Sequence, residues 1–267
     1  MLTIGHKGAD AMRRGNTTES FAAAVEAGVD VIEFDVLRPQ ADFANGADWR
    51  RAEAGPAPAG GPLLVAHDWG DARRREPLTL TEALDHFTRP PLDAVRIDLD
   101  LKLAGREDEV AAALRERELI ERAMVSTMER PSLAYLRDHA PELERGWTLP
   151  KVTRDWSRNR WLRPVFFAGS ASLRTRLPAI VRRRAPALGV WAVWVYHPLI
   201  TARLVAAAHG AGVVVIAWTV DEPARIARLR GLDVDGICTN DPRLLSLAAD
   251  PPLTETSSAP PTPARPH

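Results

Sequence analysis

Short apolar runs alternate with amphipathic stretches along most of the chain. Runs of strand length occupy residues 2–5, 29–36, 63–66, 95–101, 124–127, 145–149, 190–196, 213–220 and 234–239. Between most of them, as at 17–27, 80–87, 107–117, 199–209 and 223–230, apolar residues recur with a helical period. Repeated strand–helix units predict a parallel sheet, and about eight of them predict an α/β fold of the closed (β/α)8 type, a TIM barrel. Nine runs compete for eight places, so one of them lies outside the barrel. A doubly wound open sheet is the competing fold.

Two segments break the pattern. Residues 39–62, rich in Ala, Gly and Pro, have no helical face and read as an exposed loop inserted in a single domain of residues 1–249. The tail, 250–267, cannot bury much apolar area and is expected to be disordered.

Polar residues appear where barrel strands should be apolar. In "VDVIEFDV", Glu33 and Asp35 share one strand face and Ile32 and Phe34 the other. In "RIDLDLKL", Asp98, Asp100 and Lys102 share a face opposite Ile97, Leu99 and Leu101. Like carboxylates repel and are costly to bury unless a positive charge compensates. Oxygen ligands converging from two strands suit a hard divalent cation, with Lys102 further out, at the rim, where it can hold a phosphate oxygen. The bland readings are a solvated edge for the first pair and an internal Asp–Lys ion pair for the second.

Three histidines, His6, His67 and His197, follow apolar runs, whereas His86, His139 and His209 fall in or at the ends of helices. His6 in "IGHKG" and His67 in "LLVAHD" have the same placement. Two histidines at one end of a barrel can serve as general base and general acid on a phosphoester. His197 precedes Pro198 and reads equally as a plain loop entry.

Bulk properties narrow the field further. Acidic and basic residues balance at 35 each among 267, which gives no support to a nucleic-acid partner. The single cysteine, Cys238, excludes an internal disulfide and fits a reducing compartment. No basic stretch with a long apolar run opens the chain, and no run reaches membrane-spanning length. The expectation is a cytoplasmic protein.

The blocks "IGHKGAD…GNTTESFAAAVEAGVDVIEFDV", "LLVAHD", "LDLK" and "VVVIAWTVDEPARIARLRGLDVDGICTNDP" together resemble the glycerophosphodiester phosphodiesterase family, over about residues 2–245. The resemblance implies a TIM barrel of the PLC-like phosphodiesterase type and a divalent metal, Mg2+ or Ca2+. It implies His6 and His67 as acid–base histidines, Glu33, Asp35 and Asp100 as metal ligands, and Lys102 as the phosphate-facing lysine. Trp218 would line the substrate cleft, and Lys7 would bind phosphate where the family usually has arginine. The chain departs from the family pattern at Gly15, where an acidic residue is usual, and after "HD", where a long insertion shrinks to "WGDARRREP". Asn16 and Glu19 have the spacing of a helix cap with a reaching glutamate.

These features predict metal-dependent hydrolysis of a glycerophosphodiester to glycerol 3-phosphate and an alcohol by two-histidine catalysis. Alternatives are phospholipase D-like headgroup release from a lysophospholipid, suggested by "DLK" and the short insertion, and a non-catalytic phosphodiester-binding barrel. The partner is a small glycerophosphodiester or lysolipid. "TRDWSRNRWLRP", with its four arginines and two tryptophans, could make weak contact with a membrane surface but reads first as a solvated loop or helix.

Overall fold

A computed structural model describes residues 1–38, 61–151 and 163–247, with side chains omitted for 163–170 and 247. Eight parallel strands close into a barrel in the order in which they occur: β1 (Leu2–Gly5), β2 (Val31–Val36), β3 (Arg96–Leu101), β4 (Ala123–Thr127), β5 (Glu144–Leu149), β6 (Ala192–Tyr196), β7 (Val214–Trp218) and β8 (Gly236–Thr239). β8 returns to pair with β1, and this pairing shuts the ring. The helices are α1 (Thr18–Glu26), α2 (Trp69–Arg74), α3 (Leu80–Phe87), α4 (Glu107–Glu116), α5 (Arg130–His139), α6 (Arg163–Leu188), α7 (Ala202–His209), α8 (Pro223–Arg230) and α9 (Arg243–Leu247).

The run outside the barrel is 63–66. It makes only isolated antiparallel bridges, Leu64 to Leu37 and Leu64 to Thr79, across the connection between β2 and β3. It is too short to carry a crossover of its own, and Leu63 and Val65 pack into the core between barrel and helices. The α6 helix was not legible in the sequence, because Pro178 and Pro186 lie inside it and blur its period. The expected loop at 39–62, except Gly61 and Pro62, and the expected tail lie outside the described residues. So does nearly all of "TRDWSRNRWLRP". Among the described residues, no helix is long and apolar enough to cross a membrane.

Strand alternation divides the side chains as the pattern predicted. Ile32, Phe34, Ile97, Leu99 and Leu101 point outward into the layer beneath the helices. Ile4, Val31, Met124, Trp194, Ile216 and Cys238 fill the barrel interior. Above them, toward the C-terminal ends of the strands, the interior becomes polar. The outer layer is anchored by Phe21 of α1, Phe34 of β2 and Phe87 of α3, whose ring centroids lie 5.2–5.6 Å apart.

Helix starts are written locally. Thr17 caps α1 and exchanges bonds with Ser20, and Thr79 caps α3 with Glu82 reaching back. The α1 cap is therefore Thr17 with Ser20, not Asn16 with Glu19. Glu19 is exposed in the first turn, and Asn16 is released for another task.

All three aromatic rings are fully buried. Phe87→Ala should lower folding stability by about 3–5 kcal/mol, as for other buried Phe truncations. A chemical denaturation curve of the full chain checks this, and a loss under about 1 kcal/mol would contradict the packing described.

Candidate active site

β1 ends in a tight turn that aims two side chains at the barrel mouth. Lys7 has φ 52° and Gly8 φ 83°, both left-handed. A Cβ on Gly8 would lie 2.6 Å from Ser20 atoms, so only glycine fits there without a shift. The turn is tied down by Gly8 N donating to Glu33 O (3.1 Å) and by Ser20 Oγ donating to Lys7 O (2.8 Å). The glycines of "IGHKG" thus let the chain reverse closely enough to set His6 and Lys7 over β2.

The carboxylates meet there. β2 and β3 pair in a register that sets Glu33 beside Asp98 and Asp35 beside Asp100. One oxygen each from Glu33, Asp35 and Asp100 lies within 4.8 Å of the others. Asp98 sits one step deeper, fully buried, and accepts a bond from Ser126 Oγ (2.7 Å), so it belongs to the floor rather than to the cluster. Lys102 Nζ lies 2.5 Å from Asp35 Oδ1 and also pairs with Asp100 Oδ2. Lys7 Nζ is 3.9 Å from Asp35 Oδ2, and Lys7 N donates to Glu33 Oε2 (2.8 Å). Lys102 does not stand clear at the rim as expected; with its side chain 19 % exposed, it is drawn down between two carboxylates.

Charges follow from this crowding. Burial, then the neighbouring Asp35, pushes the Glu33 carboxyl well above the usual carboxylate range. Burial alone would raise Asp35 too, but Lys102, Lys7, His67 and His6 outweigh it and hold Asp35 far below that range. Burial opposes the charge on Lys102, yet Asp100, Asp35 and Glu33 hold its ammonium above the ordinary lysine value. The three carboxylates form an all-oxygen donor set that suits a divalent cation such as Mg2+ or Ca2+. Asp35 Oδ1 is buried and accepts no well-directed hydrogen bond despite the nearby Lys102 charge, so it has unused ligand capacity.

Asn16 and Asn240 orient the key groups, and neither was singled out for this role from the sequence. Asn16, itself at φ 61°, donates from Nδ2 to Asp35 Oδ2 (2.7 Å) and accepts from Asp35 N (3.0 Å). Asn240 donates from Nδ2 to Asp221 Oδ2 (2.7 Å), so its Oδ1 faces His6 Nδ1 at 2.6 Å. A carbonyl oxygen only accepts, so His6 Nδ1 carries the proton and Nε2 holds the lone pair. That Nε2 lies 4.0 Å from Glu33 Oε2. Burial, reinforced by Lys7, lowers the His6 pKa to about 4, which keeps the ring neutral. The signal for Asn240 was its place immediately after β8, level with His6 after β1.

His67 is placed differently from His6. It follows the outlying segment 63–66 rather than a barrel strand, and its side chain is 51 % exposed. Its Nδ1 lies 3.2 Å from Asp68 Oδ2, while Asp68 caps α2. Arg75 holds the segment to the barrel, donating to Val65 O (2.7 Å) and Asn16 O (3.3 Å). "WGDARRREP" forms the short α2 and an extended return, with no lid domain. At Gly15, a Cβ would lie 2.7 Å from both Asp10 Oδ1 and Lys7 Cβ, and Gly15 N donates to that Asp10 oxygen (2.8 Å). Asp10 occupies the space into which an acidic residue at 15 would project. Trp218 ends β7 against the interior cluster, 5.7 Å from Tyr196 between ring centroids. His197 opens a 3-10 turn (His197–Leu199) after β6, away from the carboxylates.

The sequence profile of the glycerophosphoryl diester phosphodiesterase family matches residues 6–38 and 89–244, the greater part of the chain. Its gap spans the segment that carries His67. Among solved structures, a Silicibacter pomeroyi protein that carries this family name is 23 % identical, with 92 % of this chain and 93 % of that one covered and a TM-score of 0.65. A glycerophosphodiester phosphodiesterase from Agrobacterium tumefaciens is 18 % identical (93 % and 99 % covered, TM-score 0.63). A phosphodiesterase from Oleispira antarctica, solved with the product sn-glycerol-3-phosphate, is 17 % identical (94 % and 97 % covered, TM-score 0.63). No curated protein sequence matches.

The neutral His6 ring has a consequence for stability in chelator-treated protein. Between pH about 6.5 and about 4 the unfolded chain binds a proton at His6 that the folded ring refuses. Stability from this group is therefore full above pH 6.5 and is lost as pH falls toward 4. His6→Asn should flatten the pH dependence of unfolding free energy across this window; an unchanged slope would contradict the buried neutral ring.

Proposed function

The chain belongs to the glycerophosphoryl diester phosphodiesterase family and is a phosphodiesterase of that family; from this premise we propose that it cleaves glycerophosphodiesters to glycerol 3-phosphate and an alcohol with His6 as base and His67 as acid. The observation that carries the proposal is the convergence of Glu33, Asp35, Asp100, Lys102, Lys7 and the lone pair of His6 at one end of the barrel.

The substrate phosphoryl group would rest on Lys102 and Lys7. Each is a point charge without the bidentate fork of arginine, so they neutralise charge more than they fix orientation. His6 Nε2, free of a proton, accepts one from the attacking hydroxyl, whether water or a neighbouring hydroxyl of the substrate. The imidazolium that forms is favoured by the ionised Asp35 and by the Asn240 carbonyl behind Nδ1, itself held by Asp221. His67, open to solvent beside Asp68, delivers a proton to the departing alcohol. Asn16 keeps Asp35 aimed into the cluster. A divalent cation held by Glu33, Asp35 and Asp100 would withdraw charge from the phosphoryl oxygens. Trp218, at the mouth, offers an apolar wall to the glycerol end.

Among the described residues, the short α2 segment offers few groups to contact the alcohol. Discrimination between headgroups then depends on remote contacts worth about 1–3 kcal/mol each. On a panel of glycerophosphodiesters and lysophospholipids at one metal concentration, kcat/KM should vary by less than roughly 100-fold. A strong preference for one member would contradict the open site.

His6→Ala and His67→Ala should each lower kcat by roughly 10²–10⁴-fold, and chelation should abolish turnover until Mg2+ or Ca2+ is restored. Metal binding measured by calorimetry should be little changed in both histidine variants and lost in Asp35→Asn. Near-normal turnover in His67→Ala would remove it from the mechanism, and undiminished turnover after chelation would remove the metal.

A further inference from the structure

We propose that a cavity on the outer wall, between α6, the 3-10 turn after β6 and α8, binds a phosphoryl group at a site separate from the barrel mouth. The cavity measures about 150 Å3, and its polar lining is Arg174, His197, Arg225 and Arg228 over an apolar floor that includes Ile200 and Leu229. A water's share of liquid volume is about 30 Å3, so there is room for a tetrahedral oxyanion with a few waters.

The lining is positively charged, with Arg174 and Arg228 open to solvent and Arg225 half-buried. Some surface arginines pair with carboxylates, as Arg115 does with Glu142, Arg117 with Asp85, Arg137 with Asp138 and Arg243 with Asp241. The side chains of Arg174, Arg225 and Arg228 have no such partner among the described residues. His197 adds Nδ1, which is buried and makes no hydrogen bond. Two acids face His197, Asp221 and Glu222. Asp221 already accepts from Thr239 Oγ1, Asn240 N and Asn240 Nδ2, so Glu222 alone is left against three guanidinium groups. Burial and then Arg225 lower the His197 pKa, against Glu222 and Asp221, which raise it. Guanidinium donors match phosphoryl oxygens in geometry and stay charged at any physiological pH.

The cavity is built from different elements than the carboxylate site. β6 stands four places from β2 in the ring of eight, on the opposite wall, and the lining residues lie among the helices rather than in the interior. The ligand class is a phosphate monoester or diester group, carried by a soluble molecule or by a lipid headgroup.

The test follows the ring protons of His197 by NMR in the full, metal-loaded chain, assigned by their loss in His197→Gln. Inorganic phosphate should shift them saturably. Arg225→Ala and Arg228→Ala should each weaken that response about tenfold or more, the worth of one charge-assisted bond, while the far-ultraviolet spectrum stays as in wild type. In parallel, sedimentation with phosphatidylglycerol vesicles, and with phosphatidylcholine vesicles as control, separates the sources. Arginine-dependent binding to the anionic vesicles assigns a lipid headgroup; a phosphate response without vesicle binding assigns a soluble ligand. Absence of both, or a phosphate response that persists in the arginine variants, overturns the proposal. No readout depends on catalysis at the barrel mouth, so this site and the phosphodiesterase mechanism can fail separately.

Discussion

The placement of Lys102 between Asp35 and Asp100 is the interaction on which the rest of the site depends. A barrel interior is a poor solvent for charge, and β2 and β3 bring four carboxylates side by side into it. Without a cation the cluster would drive the strands apart or take up protons. Lys102 and, at longer range, Lys7 supply positive charge from the chain itself. The ionised state of Asp35 follows from where those two ammonium groups sit, whereas the proton affinity of Glu33 and the neutrality of His6 come first from burial. The same arrangement stays responsive: an ammonium on a flexible stem can yield a carboxylate oxygen to a metal and turn to a phosphate.

Around this charge cluster the barrel supplies position at several scales. Register between β2 and β3 aligns Glu33 with Asp98 and Asp35 with Asp100, which separates a deep carboxylate from the reactive layer. The left-handed turn at Lys7 and Gly8 brings the first strand's end over the second. Asparagines then finish the work with single hydrogen bonds. Asn16 clasps Asp35 at two points, and Asn240 fixes which nitrogen of His6 carries its proton. These are short-range polar contacts added to a frame held by apolar burial, and their precision depends on the rigidity of that frame.

The reach of the sequence reading follows from the same physics. Two-residue alternation made Glu33, Asp35, Asp100 and Lys102 legible, because charge on the inner face of a strand is rare and periodic. All eight barrel strands were among the nine runs. The ninth, 63–66, has the composition of a strand but pairs with loop residues, a distinction made by partners that hydropathy does not record. His67 was therefore placed on a strand end when it stands on an appended segment. Asn16 was read as a possible cap because its spacing allows one; Thr17 took the cap, and the asparagine turned inward. Asn240 was hidden for a different reason. Its partner lies 234 positions away, and nothing local marks an asparagine as the orienter of a histidine. The arginines around His197 come from two helices far apart in the chain and look like ordinary surface charge until the helices are assembled.

That long separation between His6 and Asn240 has a bearing on how the protein comes into being. β1 pairs with β2 on one edge, but its other edge waits for β8, and only when β8 closes against it does an acceptor stand behind the His6 ring. A growing polypeptide could display the carboxylates of β2 and β3 together early, yet it would lack an oriented base until nearly all of the barrel had been synthesised. Hydrolytic competence is in that sense a certificate of completion: an interrupted or mispaired chain holds the charges but not the aimed imidazole, and phosphodiesters in its surroundings remain uncut.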